Sequence, residues 1–118
     1  MSIINHAEVP RRVVTRSGIP TRTLITSENG STACTLWEQF LPPGGVIPLH
    51  THPTEELITV LSGVLTATVG GVNNEVAASM TVFISAHVLH GFRNHGTEVA
   101  HTLVFFPTNA PQVIYPNE

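Results

Sequence analysis

Two histidines, at positions 50 and 52, constrain the fold of this 118-residue chain more than any other feature. Residues i and i+2 point to the same face of a strand, so on a strand the two side chains project side by side, as ligands of one metal must. Glu56 follows at the expected start of the next strand. His90 opens a later run, His90-Gly91-Phe92-Arg93-Asn94. Three imidazoles and one carboxylate make a donor set for a divalent transition ion such as Mn, Fe, Zn, Ni or Cu. A lone histidine is more often a surface or satisfied core residue than a ligand. Two at this spacing, with a glutamate four residues on, are much harder to reach by chance. His6, His87, His95 and His101 lack such spacing and receive no ligand role.

The rest of the chain supports a β fold. Short runs rich in Val, Ile, Thr and Phe are cut at close intervals by Gly, Pro and Asn. Strands are predicted at 11–15, 21–27, 32–41, 45–50, 55–62, 64–69, 74–77, 81–84, 90–94 and 100–106. Gly70-Gly71 supplies a hairpin turn that needs positive φ. No segment shows a convincing helical period. About ten short strands in one small domain fit an all-β double-sheet jelly roll.

The spacing of the candidate ligands and their neighbours carries a family resemblance. Gly44, His50, His52, Glu56 and Gly63 match in full the first motif of the cupins, Gly-x5-His-x-His-x3–4-Glu-x6-Gly. The second motif, Gly-x5-Pro-x-Gly-x2-His-x3-Asn, is met only by His90 and Asn94. Ser79, Ser85 and His87 stand where that motif has Gly, Pro and Gly, a departure of turn geometry that leaves the ligand positions intact. The chain also resembles small manganese-binding single-domain cupins in its run His-Gly-Phe-Arg-Asn. The resemblance implies a single-domain cupin barrel (a double-stranded β-helix) over 37–107, preceded by N-terminal strands over 1–36 that pack on the barrel or on a dimer partner. A C-terminal tail of 108–118 follows. It also implies one divalent metal, Mn or Fe before Zn, Ni or Cu, held by His50, His52, Glu56 and His90.

Strand parity then nominates the cavity wall. With His50 and His52 inward, Val46 and Pro48 share their face. Ile58 and Val60 follow from Glu56, and Phe92 and Asn94 from His90. On the last strand, Thr102, Val104 and Phe106 are placed inward and His101 outward. Burying an unpaired carboxylate costs more than burying an amide, so Trp37 and Gln39 are placed inward and Glu38 outward. The expected pocket is therefore Trp37, Gln39, Ile58, Val60, Phe92, Thr102, Val104 and Phe106, with Gln39 and Thr102 as polar handles. Thr51, Thr54 and Glu55 are candidates to orient the metal-bound imidazoles.

Composition narrows the partners. Only 11% of residues are charged, well under the usual quarter, so part of the surface is expected to be covered by a second copy in a homodimer. The net charge of −3 offers no basic stripe for nucleic acid. Arg11, Arg12, Arg16 and Arg22 are expected on a solvated strand face. Cys34 is alone and expected as a small buried strand residue. No apolar run is long enough to span a membrane, and a cytoplasmic location is expected.

A four-ligand site on an octahedral ion leaves room for a small-molecule substrate, and Glu56 doubles as a catalytic proton carrier if it binds weakly. The apolar lining lacks the cations that phosphorylated substrates need. It favours a dioxygenase-type oxidoreductase acting on an apolar or aromatic oxygenated compound. A non-redox isomerase, lyase or cyclase is the alternative, and a ligand-binding module without catalysis the third reading.

Overall fold

The β-favouring runs become ten strands in the computed structural model, which describes residues 2–116. They are β1 (Arg12–Val13), β2 (Pro20–Ile25), β3 (Thr35–Leu41), β4 (Val46–His50), β5 (Glu56–Ser62), β6 (Val64–Val69), β7 (Val72–Ala77), β8 (Thr81–Ile84), β9 (His90–Arg93) and β10 (Ala100–Phe106). A six-stranded sheet runs β1-β2-β3-β10-β5-β8 and a four-stranded sheet runs β4-β9-β6-β7. All pairings are antiparallel. This is the jelly roll expected from the strand pattern. Among the described residues helix is confined to two single 3-10 turns, His6–Glu8 and Ser27–Asn29. The second is closed by a capping box between Thr26 and Asn29, which ends the strand signal two residues earlier than expected.

The core lies between the sheets. Alternate residues of β5 and β10 are buried, and Ile58, Leu65, Phe92, Val104 and Phe106 meet at its centre. Gly70 and Gly71, at φ +57° and +82°, make the two-residue turn that pairs Val69 with Val72. Ser79 and His87 also take positive φ, at 68° and 66°. These are two of the positions where the family motif has glycine, so the chain keeps the turn geometry without the residue that adopts it freely.

β2 joins the sheet by pairing with β3, and the N-terminal segment is tied to the outer face of that sheet by Glu38. Glu38 points away from the cavity, as parity requires, yet is only 3% exposed. Its carboxylate accepts from Arg22 at 2.9 Å and His101 at 2.8 Å, and lies 3.3 Å from His6. Arg11 stacks over Phe40, and Phe40 stacks on His101. Arg11, Arg12 and Arg16 are solvent-exposed as expected, while Arg22 is half-buried. Arg11 nonetheless lies over Phe40 and Arg22 pairs with Glu38, because a carboxylate and two rings on one face offer guanidinium groups good partners. Cys34 is corrected: it is partly exposed and sits just before β3, its carbonyl accepting from Ser31.

Candidate metal centre

β4 delivers His50, the following bridge residue Thr51 leads to His52, β5 opens with Glu56, and β9 opens with His90. All four side chains are buried, at 5%, 3%, 3% and 0% exposure respectively. His50 Nε2 lies 3.2 Å from His52 Nε2. His52 Nε2 lies 3.1 Å from Glu56 Oε2, and His90 Nε2 lies 3.2 Å from Glu56 Oε1. The ligand atoms of the three histidines fall within 4.8 Å of one another. Adjacent corners of an octahedron with bonds of about 2.1 Å stand about 3.0 Å apart, so this spacing suits one ion.

The tautomers provide the sharper test of fit. His50 Nδ1 donates to the Pro48 carbonyl at 2.7 Å, His52 Nδ1 to that of Gln112 at 2.6 Å and His90 Nδ1 to that of Val88 at 2.8 Å. Each bond holds the proton on Nδ1, so each neutral ring presents an Nε2 lone pair to the centre. Three lone pairs and a carboxylate then face one another, all acceptors. Among the described side chains, Glu56 Oε1 and His90 Nε2 are sealed from water without a hydrogen-bond partner. One proton on His52 would bridge it to Glu56 and leave the other acceptors unmet. A divalent cation satisfies all four, and the residues therefore fit a metal.

Electrostatics agree for His50 and Glu56. Burial pushes the His50 pKa down to about 4, and nearby His90 and His52 push the same way. His50 stays neutral and able to ligate. Burial opposes ionisation of Glu56, but its contacts with His52 and His90 outweigh that and hold its carboxyl below the usual range. Burial likewise lowers the His52 pKa, yet Glu56 and the Gln112 carbonyl outweigh it and the net shift is upward.

The three carbonyls correct the expectation that Thr51, Thr54 or Glu55 orients the imidazoles. Backbone oxygens do so instead, two of them only two residues upstream of the ring they hold. Those two follow from extended backbone that leaves the i−2 carbonyl beside the ring. The third comes from the C-terminal segment, which returns to the site through the bridge Thr51↔Ile114.

The cavity beside the centre is lined by Trp37, Gln39, Ile47, Ile58, Phe92, Val104, Phe106, Thr15, Ser17, Val113 and Tyr115, with His50, His52 and Glu56 at its base. Six of the eight expected lining residues are there. Thr102 lies in a smaller inner chamber with Leu41 and Leu65. Val60 is corrected to core packing at 0% exposure. Val46 and Pro48 are corrected from inward to exposed, with Ile47 taking the inward place. The cause is a β-bulge: the β4–β9 register shifts between Ile47 and His50, which breaks the alternation that parity assumes. Asn94 is buried but is a turn clamp, donating to Leu41 and Glu98 carbonyls and accepting from Gly96.

Sequence reasoning missed the mouth. Thr15 and Ser17 come from the turn after β1, and Val113 and Tyr115 from the C-terminal segment. Arg16 stacks 3.5 Å over the Tyr115 ring, whose centroid is 6.0 Å from that of His50. With these in place the cavity volume is about 30 Å³, room for about two waters.

The cupin domain family model matches residues 37–106. The chain belongs to the cupin family. Among solved structures it is similar to the polyketide cyclase RemF from Streptomyces resistomycificus, at 26% identity and a TM-score of 0.85. That match covers 100% of this chain and 88% of the cyclase. A predicted oxalate decarboxylase from Thermotoga maritima is similar at 20% identity and a TM-score of 0.81, covering 91% of this cupin and 99% of that chain. An oxalate oxidase is similar at 22% identity and a TM-score of 0.80, covering 97% and 63%. The last two share the fold alone. No curated protein sequence matches the chain.

Proposed function

We propose that this cupin is a metal-dependent, non-redox cyclase acting on a keto-rich, apolar or aromatic small molecule, with His50, His52, His90 and Glu56 holding the ion. The observation that carries this reading is a buried N3O donor set opening onto a wall of Trp37, Phe92 and Phe106. Similarity to a polyketide cyclase along the whole chain, N-terminal and C-terminal segments included, supports it. A bound divalent ion supplies Lewis acidity toward a substrate carbonyl. The side chains do the rest. Glu56 Oε2 or Oε1 accepts a proton from carbon next to that carbonyl and returns it to oxygen, since no other carboxylate lines the cavity. Trp37 and Phe106, packed edge to face at 5.1 Å, offer a flat substrate one ring face to lie on and one ring edge to abut.

The oxidoreductase reading rests on the same donor set, which suits Mn and Fe as well as Zn. Product mass separates the two. Protein loaded with Mn(II), Fe(II) or Zn(II) is incubated in air with a poly-β-ketone and with a flavonol. A cyclase gives a product of unchanged mass, or lighter by water, with no oxygen consumed. A product heavier by two oxygen atoms, with matching oxygen uptake, overturns the cyclase reading in favour of the dioxygenase. Equal turnover after complete metal removal overturns both.

A further inference from the structure

Gln39 sits between the metal-side cavity and the inner chamber, and lines both. Its cross-strand partner is Thr21, on a strand outside the region matched by the family model. The Thr21 hydroxyl is fully buried and gives its single proton to the Ile19 carbonyl at 2.9 Å. It can therefore only accept from Gln39, whose Nε2 lies 3.1 Å away. That bond fixes which way the amide points. Among the described residues no donor meets Gln39 Oε1, and this oxygen is not among the sealed, unpartnered atoms. It opens onto the cavity.

We infer that Gln39 is a specificity-determining residue: its Oε1, locked as an acceptor by Thr21, selects substrates that carry an enolic or phenolic hydroxyl away from the metal. A freely flipping amide would take a hydroxyl or an ether alike; a locked one takes only the donor. Thr102, its other cross-strand neighbour, both donates and accepts and so discriminates little. The inference rests on the proposed substrate class and narrows it to hydroxylated ketones.

The test uses metal-loaded protein and two probes, 4-hydroxyacetophenone and 4-methoxyacetophenone, with dissociation constants from NMR titration. Wild-type protein should prefer the hydroxyl compound by about tenfold or more. Gln39→Leu should abolish that preference by weakening the hydroxyl compound alone. Thr21→Val leaves the cavity wall untouched but frees the amide to turn its NH2 inward. It should weaken the hydroxyl compound and tighten the methyl ether, an inversion that a merely structural role for Thr21 would not produce. If Gln39→Leu does not fold, Thr21→Val carries the test. An unchanged preference in a folded variant overturns this inference alone. If neither probe binds the metal-loaded wild-type protein, the aromatic ketone class falls, and this inference with it.

Discussion

Gly91→Ala isolates the contact that seats His50. Gly91 lies in β9 beside His90, where the bulged stretch of β4 crosses closest. A Cβ built there stands 2.7 Å from the Ile47 carbonyl oxygen and 3.2 Å from the Leu49 amide nitrogen. Its backbone conformation is open to any residue, so the damage comes from the contact and not from φ. Restoring an ordinary 3.4 Å separation moves the two strands apart by about 0.7 Å. Metal–ligand distances tolerate about 0.2 Å. His50 and His90 sit on the two strands being separated, so the centre absorbs the shift. The expected cost is about 1–3 kcal/mol of stability, as for other overpacked sites. The expected loss of Mn(II) or Zn(II) affinity is about 10- to 100-fold. Thermal unfolding and chelator competition measure the two effects. Gly71→Ala is the control: its Cβ meets nothing within 4 Å, but φ is +82°. It should lose about 1–2 kcal/mol from the left-handed conformation and no metal affinity. Wild-type metal affinity in Gly91→Ala, with both variants equally destabilised, would refute the claim that this contact seats the ligand.

Five further variants have expected outcomes. His52→Ala should lose most of its bound metal by elemental analysis, whereas Glu56→Gln should keep most of its metal and lose turnover. Ile114→Pro removes the N–H that bonds Thr51 at 3.0 Å, undocks the segment carrying the Gln112 carbonyl and should weaken metal binding about 10- to 100-fold by chelator competition. His87→Gly relieves a side chain at φ 66° and should raise the unfolding free energy by up to about 1 kcal/mol in denaturant titration. Glu38 is opposed by burial, yet Arg22, His101 and His6 bring its pKa below the ordinary 4.5. Its stabilisation is complete above that value and lost as pH falls through the lower folded value. Glu38→Gln should therefore be less stable at neutral pH by of order 2 kcal/mol and show a shallower loss on acidification below pH 4.5.

How far the sequence alone reaches depends on how local the signal is. The strands were legible because each is short, β-branched and bounded by Gly or Pro, so β6, β8 and β10 fall on their expected residues. The four convergent donors were legible because spacing on strands sets direction. Parity failed at one place, β4, where the bulge between Ile47 and His50 exchanges Ile47 for Val46 and Pro48 at the wall. A bulge depends on the partner strand, here on the room that Gly91 leaves, and β4 read by itself contains no sign of it.

The mouth was illegible for a different reason. Thr15, Ser17, Val113 and Tyr115 come from segments without alternation, one a local turn closed by Gly18 N–H on Thr15, the other docked by a pair of backbone bonds between Ile114 and the distant Thr51. Yet these segments carry consequences that the motif residues do not. The Gln112 carbonyl fixes the tautomer of His52, so the state of the C-terminal segment reaches the metal through one hydrogen bond. Tyr115, under Arg16, lines the cavity beside His50. Displacing the C-terminal segment so that the Gln112 bond breaks should therefore loosen His52 and weaken metal binding. On this argument the motif residues set which ion and which chemistry the site supports. The irregular segments support it from outside the motif, and substitutions there should change metal release rates before they change the fold.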